Sequence, residues 1–306
     1  MRSQVGFLTL CRTPELAAQV TLQPVDILGV DAAVIFSDIL LLLDAMGLTV
    51  QFEYEHGPHI GEPIRSPDDV SRLHGPNIDR DLRPTLEAIR LTVWALADRG
   101  VPVIGFAGAP FTLACYAIDG KTERDFHRTK RFMNENPSGF AKILEKLADG
   151  ISLYLRAQIE AGAAAVQLFD SWGGILGQEA YRAIVLPSLH RVISPLKSLG
   201  APVILYLNGS SPHLETMAES GADVLSVDWR LPFSKVRKRV GDKAALQGNL
   251  DPSVLHAPAD RIVQATRDML AEHPGPGLIA NLGHGILPDT SVEGAKTFVN
   301  TVRGFK

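Results

Sequence analysis

Short apolar runs alternate with longer stretches of helical period along most of the chain, the trace that repeated βα units around a parallel sheet leave in a sequence. Such runs fall at Asp31–Phe36, Val101–Ala107, Ala164–Phe169, Ala201–Leu207, Ala222–Val227, Ala244–Gln247 and Gly277–Leu282, which predicts seven strands. A helix-like stretch, Thr13–Leu28, precedes the first of them, and Thr13-Pro14-Glu15 predicts a capping hydroxyl ahead of a proline at the first helical position. Several helices end in a glycine followed at once by a strand, as in Arg99-Gly100-Val101 and Leu199-Gly200-Ala201. That glycine supplies the left-handed C-cap of a tight turn, so the rhythm is backbone chemistry and not a ligand motif. The stretch Thr49–Ser66, rich in Gly and Pro, predicts an inserted hairpin or loop.

A closed barrel of parallel βα units needs eight strands. The pattern therefore reads as α/β, a TIM-type (β/α)8 barrel incomplete at its first strand, with a strand belonging before Val5 absent. An open parallel sheet is the alternative that the rhythm leaves standing. Nothing marks a linker, so residues 1–306 read as one domain.

Composition narrows the function classes. The chain has 45% hydrophobic and 21% charged residues, as globular proteins do, and a net charge of −4, which argues against a nucleic-acid binder. Its two cysteines, Cys11 and Cys115, cannot form a disulfide framework or a Cys-rich zinc site, which points to a reducing, cytoplasmic setting. The aliphatic run Ile39–Leu43 is too short to span a bilayer, and the opening stretch lacks the form of a signal peptide. No GxGxxG opens a helix after a strand and no P-loop occurs, so no nucleotide cofactor is indicated.

In this fold class chemistry gathers at the carboxyl ends of the strands. Those ends read Ser37-Asp38, Gly108-Ala109-Pro110-Phe111-Thr112 with Tyr116, Asp170-Ser171-Trp172, Asn208-Gly209-Ser210, Asp228-Trp229, Asn249-Leu250-Asp251-Pro252 and Gly283-His284-Gly285. Loop starts and helix caps need polar residues too. Asp251 reads as a helix cap, Asp228 as a loop-orienting group, and Asn208 and Ser210 as caps for a helix starting near Pro212. Asp38 is a lone carboxylate among aliphatics, costly unless partnered, and is either a functional group or an N-cap. Tyr116 is either a site residue or a core residue. His284 has glycines on both sides that leave its ring exposed, without the partners a zinc site requires. The other histidines read as inert residues of surface helices and loops.

Read together, these strand ends resemble the uroporphyrinogen decarboxylase family. The matching strings are Thr13-Pro14-Glu15-Leu16, Thr21-Leu22-Gln23-Pro24, Ile35-Phe36-Ser37-Asp38-Ile39-Leu40, Gly108-Ala109-Pro110-Phe111-Thr112-Leu113 with Tyr116, and Phe169-Asp170-Ser171-Trp172. Asp228-Trp229, Gln247-Gly248-Asn249-Leu250-Asp251-Pro252 and Gly283-His284-Gly285-Ile286 follow in the family's order. The resemblance implies a (β/α)8 barrel, a homodimer, that converts the four acetate side chains of uroporphyrinogen to methyls without metal or organic cofactor. By the same resemblance Asp38 accepts the pyrrole N–H bonds at the macrocycle centre, and Tyr116 stands beside a reacting acetate. Ser171 and His284 hold substrate carboxylates, and the backbone at Phe36 and Ile39 lines the pocket.

The family's opening Arg-Gln-Ala-Gly-Arg-Tyr loop has no counterpart here, and Arg2 matches only the last arginine of that region. Two further readings follow. One is a shortened pseudoenzyme that binds a tetrapyrrole or a partner without turnover. The other is a related barrel methyltransferase, disfavoured because Leu207-Asn208-Gly209-Ser210 stands where such proteins carry a zinc-binding His-x-Cys.

Overall fold

A computed structural model of the protein describes residues 5–53, 57–273 and 275–305. Seven parallel strands form one sheet in the order β1 (Ala33–Val34), β4 (Val103–Gly108), β5 (Ala165–Asp170), β6 (Val203–Leu207), β7 (Val224–Val227), β8 (Ala245–Leu250) and β9 (Leu278–Leu282). They are the seven runs that the hydrophobic pattern marks. Most boundaries shift by one or two residues, and two differences stand out. β1 is only two residues long, and β8 continues through Gly248-Asn249-Leu250, which the pattern places in a loop. Asn249 and Leu250 pair in register with Asn281 and Leu282, so ladder pairing with β9 carries the strand past its apolar run.

The sheet is strongly curled. Gln247 on β8 donates through Nε2 to Gln167 Oε1 on β5 at 3.0 Å although β6 and β7 lie between them. Tyr206 on β6 likewise donates its hydroxyl to the carbonyl of Gly283, just past β9, at 3.2 Å. Both bonds cross a shared lumen. The ends of the sheet meet at its foot, where Arg303, at the end of the helix Val292–Arg303, pairs with Asp31 at 2.6 Å. The fold is thus a TIM-type barrel with seven strands among the described residues, open between β1 and β9. Val34 and Ile279, one on each edge, are 50% and 42% exposed, whereas β6 and β7 are buried throughout. The register of Ile279 with Gln247 puts it on the lumen side, so the opening is a slot into the barrel interior.

Helices cover the outside. The longest, Pro137–Glu160, buries Ile143, Leu147, Ile151 and Leu155 at intervals of four, one apolar stripe against the sheet. Gly200 takes φ +76 before β6, as the turn chemistry requires. Thr13 corrects an expectation: its hydroxyl makes no cap but donates back to the carbonyl of Thr9 at 2.7 Å, because the preceding helix Phe7–Arg12 offers a nearer acceptor. The insertion is a hairpin of β2 (Val50–Glu53) and β3 (Gly57–Ile60), with residues 54–56 outside the described set. It is fastened to the helix Pro110–Asp119 by Ile60 N to Gly120 O and Ile64 N to Ala117 O, at 2.6 and 2.8 Å. No helix among the described residues is long and apolar enough to cross a membrane.

Candidate active site

β1 ends early, and the chain beyond it is held from behind. Ile35 N bonds the carbonyl of Ile104, and Phe36 N donates to Thr21 Oγ1 at 2.9 Å. Asp38 therefore emerges at the carboxyl end of the sheet. Its Oδ1 accepts from Leu40 N at 2.8 Å and turns the chain into the short helix Leu41–Ala45. Its second oxygen has no hydrogen bond and no cationic partner among the described residues. Asp38 is half-buried, as are Phe36 and Ile39, and Leu40, Leu41, Leu42 and Leu43, which follow it in the chain, are buried. Burial pushes the Asp38 carboxyl up to about 6, against the opposing pull of the Leu40 N–H. The two sequence readings thus divide between two oxygens: one caps a turn, and the other is unengaged.

The charge of Asp38 reaches Tyr116, Tyr154 and Cys11. Burial is the larger influence on each, and it pushes Tyr154 and Cys11 up to about 12 and raises Tyr116. The Tyr116 hydroxyl lies 3.2 Å from Thr122 Oγ1, and its ring packs edge-on to Phe126 at 6.2 Å. Phe126 has φ +46, a left-handed backbone that a bulky side chain seldom adopts. That conformation seats its ring between Tyr116 and Trp172, whose ring centre is 4.8 Å from that of Phe126.

Ser171 and Trp172 follow β5. Ser171 is half-buried and its hydroxyl has no hydrogen-bond partner among the described residues. The buried indole N–H of Trp172 is also without one, close to the Tyr116 hydroxyl but outside hydrogen-bonding geometry. Below them, rings line the lumen in succession: Phe106 to Phe169 at 5.4 Å, Phe169 to Tyr206 at 5.8 Å and Tyr206 to His284 at 6.3 Å. His284 is exposed at the end of that row, edge-on to Trp229 at 6.4 Å, and Arg230 stacks over Trp229 at 4.6 Å.

The structure thus brings Asp38 within electrostatic reach of Tyr116 and places Ser171 and His284 at the same mouth, the carboxyl ends of the strands, with Phe36 and Ile39 flanking Asp38 in the chain. Arg2 lies outside the described residues. Asp228 is fully buried, paired with Arg230, and accepts from Gly209 N and Ser210 N at 2.6 and 3.3 Å, so it orients the loop after β6. Ser210 consequently bonds Asp228 and does not cap the turn Ser211–His213. Asp251 does cap, accepting from Ser253 N at 2.9 Å. His213 corrects another expectation: it is fully buried, its ring 4.7 Å from that of Tyr181. Sequence reasoning gave no role to Phe126, Trp172, Asp170 or Tyr181. A lone apolar residue in the polar run Arg124-Asp125-Phe126-His127 is the signal that marks Phe126.

A parallel α/β barrel with one unengaged carboxylate in an aromatic mouth at the carboxyl ends of its strands has the layout of a barrel enzyme. Solved structures agree on the fold. A methyltransferase from Methanosarcina mazei superposes with a TM-score of 0.82 at 23% identity, covering 95% of this chain and 85% of that one. A B12-independent methionine synthase from Shewanella sp. superposes at 0.64 and 12% identity, covering 95% and 87%. At those identities the likeness extends to the fold alone. The sequence is more specific. The family model "Uroporphyrinogen decarboxylase (URO-D)" matches residues 1–305. The uroporphyrinogen decarboxylase of Pelobacter propionicus is 49% identical, over 99% of this chain and 88% of that protein. That of Myxococcus xanthus is 46% identical, over 99% and 86%. The chain belongs to the uroporphyrinogen decarboxylase family.

Proposed function

We propose that the protein is a carboxy-lyase that decarboxylates the four acetate side chains of uroporphyrinogen III, giving coproporphyrinogen III in haem biosynthesis, with no metal or organic cofactor. Family membership supports the reaction, and the unengaged oxygen of Asp38 is the structural observation that carries it. Each acetate hangs on an electron-rich pyrrole. Protonation of the ring carbon next to the one that bears it makes a cation. The bond to the carboxylate then breaks toward the ring, leaving an exocyclic methylene as CO2 departs. Protonation of that methylene, with loss of the added ring proton, gives the methyl group. A carboxylate held in apolar surroundings accepts the pyrrole N–H bonds and stabilises that positive charge more strongly than it would in water. Desolvation that the Leu40 N–H only partly offsets is what raises the Asp38 carboxyl, and the N–H donors of the macrocycle supply the remaining compensation.

The remaining roles follow the residues. Tyr116 stands beside the reacting acetate, its hydroxyl kept protonated by burial. Ser171 and His284 hold substrate carboxylates by hydrogen bonds, with Arg2 as a further cation. Charge-assisted bonds of this kind are worth about 1.5–3 kcal/mol each. The macrocycle's apolar body lies against Phe36, Ile39 and the rings of the lumen. We assign the protein to the cytoplasm on its two cysteines and to a homodimer on the family resemblance.

Incubation of purified protein with uroporphyrinogen III under reducing, anaerobic conditions tests the reaction, with products oxidised and resolved by carboxylate number. Hepta- to tetracarboxylate products are expected. Tight binding with no loss of carboxylates would replace this reading by that of a tetrapyrrole-binding pseudoenzyme.

A further inference from the structure

Another carboxylate, Asp170, lies behind the mouth. Gln167 bonds across the lumen and Phe169 joins the row of lumen rings, so strand alternation turns Asp170 outward, into the layer between sheet and helices. It is fully buried. Thr112 Oγ1 donates to its Oδ1 at 2.7 Å and Tyr181 donates to its Oδ2 at 2.9 Å. Thr112 Oγ1 also accepts from the backbone N–H of Trp172 at 3.1 Å. One threonine hydroxyl thus joins the carboxylate to the backbone just past Ser171.

The surroundings leave little room for another arrangement. A Cβ on Gly173 would overlap the Asp170 carboxylate and the Tyr181 ring. Tyr181 opens a π-helical turn, Tyr181–Val185, a widened turn of the kind that recurs beside functional sites. Thr112 lies in the first turn of the helix Pro110–Asp119, four residues before Tyr116, on the same side of that helix. Three segments therefore converge on Asp170: the helix that carries Tyr116, the loop that carries Ser171 and Trp172, and the π-helical turn.

We propose that Asp170, Thr112 and Tyr181 form a positioning hub that sets the placement of Ser171 and Trp172, and through them the recognition of a substrate carboxylate, without touching substrate. This inference rests on the decarboxylase reading for its kinetic consequences and on geometry alone for its structural ones. The hub has a direction. Thr112 must donate to Asp170 in order to leave its lone pairs to the Trp172 N–H, and an ionised Asp170, which only accepts, enforces that orientation. An apolar residue at position 112 loses both bonds at once and frees the loop.

The test compares Thr112→Val, which keeps the shape and removes the hydroxyl, with Thr112→Ser, which keeps the hydroxyl. Thr112→Val is expected to raise KM for uroporphyrinogen about tenfold, the size of effect that losing buried hydrogen bonds produces, and Thr112→Ser is expected to restore most of that loss. Ser171→Ala supplies a second arm. It is expected to raise KM about tenfold in the native background and less than about threefold in the Thr112→Val background, because a misplaced serine has little left to contribute. A Thr112→Val protein that only melts earlier, with KM unchanged, overturns the hub, and so does additivity of the two substitutions. Hydrogen exchange at the Trp172 amide gives a readout independent of turnover. It is expected to be at least about tenfold faster in Thr112→Val than in Thr112→Ser. Equal exchange rates overturn the hub, whereas a native protein that leaves uroporphyrinogen unchanged overturns the decarboxylase reading and leaves the exchange result to judge the hub.

Discussion

Asp38 and Asp170 are both pushed up to about 6, and in both burial is the largest cause. Their surroundings divide them. Asp170 has a hydroxyl on each oxygen, from Thr112 and Tyr181, and is closed in by Gly173. Asp38 is half-buried, with one backbone N–H on one oxygen and no hydrogen bond on the other among the described residues. A buried charge persists when the fold satisfies it or when a ligand does, because leaving it bare costs several kcal/mol. Asp170 is completed by the protein, and Asp38 is left for something else to complete. The contrast separates a group that builds the site from a group that works in it.

The sharpest way to break that contrast is to replace the working carboxylate. Asp38→Asn is expected to lower kcat/KM for uroporphyrinogen by about 100–1,000-fold, the usual cost of removing a preorganised electrostatic partner. Retention of near-native turnover would reduce Asp38 to a turn cap. Next in size is the pH profile. Only the ionised carboxylate can stabilise a cation, so kcat/KM in the native enzyme is expected to fall about tenfold per pH unit below about 6. A profile flat from pH 7 to 5 contradicts the role. Tyr116→Phe is expected to cost about tenfold in kcat, the worth of one site hydrogen bond, measured by steady-state kinetics.

Stability supplies a smaller test, and its sign runs opposite to activity. The folded Asp38 carboxyl titrates above its unfolded value of 3.8, so its ionisation opposes folding. That cost is absent at pH values below about 3.8 and complete above about 6. Asp38→Asn is therefore expected to be more stable than the native protein at pH 8 by about 1–2 kcal/mol, discounted for its partial exposure, with the gain fading toward pH 4 in denaturant titrations. A destabilised variant at pH 8 would show that the second oxygen is satisfied within the fold. Smallest of all, Asp251→Ala is expected to cost about 1 kcal/mol of stability through its lost cap and to leave kcat/KM unchanged.

Local patterns made the strands and the mouth legible. β4 to β8 stand where the apolar runs fall, because a parallel strand buried on both faces leaves a continuous apolar signature. Asp38 stood out because a carboxylate among leucines is conspicuous in any window. The hub was not legible. Thr112 and Asp170 are 58 residues apart, and a threonine in a first helical turn looks the same whether it faces a carboxylate or water. The burial of His213 escaped for a related reason. It follows Ser-Pro in what reads as a loop, and only the three-dimensional packing of that turn against Tyr181 removes it from solvent. Asp228 was read correctly as loop-orienting, although the loop that it holds follows β6 and lies 18 and 19 residues away in the chain.

The central claim is that the free oxygen of Asp38 is built to receive pyrrole N–H donors. A porphyrinogen offers four such donors and the oxidised porphyrin with the same side chains offers two, so the most direct measurement is the ratio of their dissociation constants in native protein and in Asp38→Asn. The account predicts that native protein prefers the reduced macrocycle by at least about tenfold, and that Asp38→Asn erases the preference while still binding both through their carboxylates. Equal affinity of native protein for the two macrocycles, or a preference that survives Asp38→Asn, contradicts it.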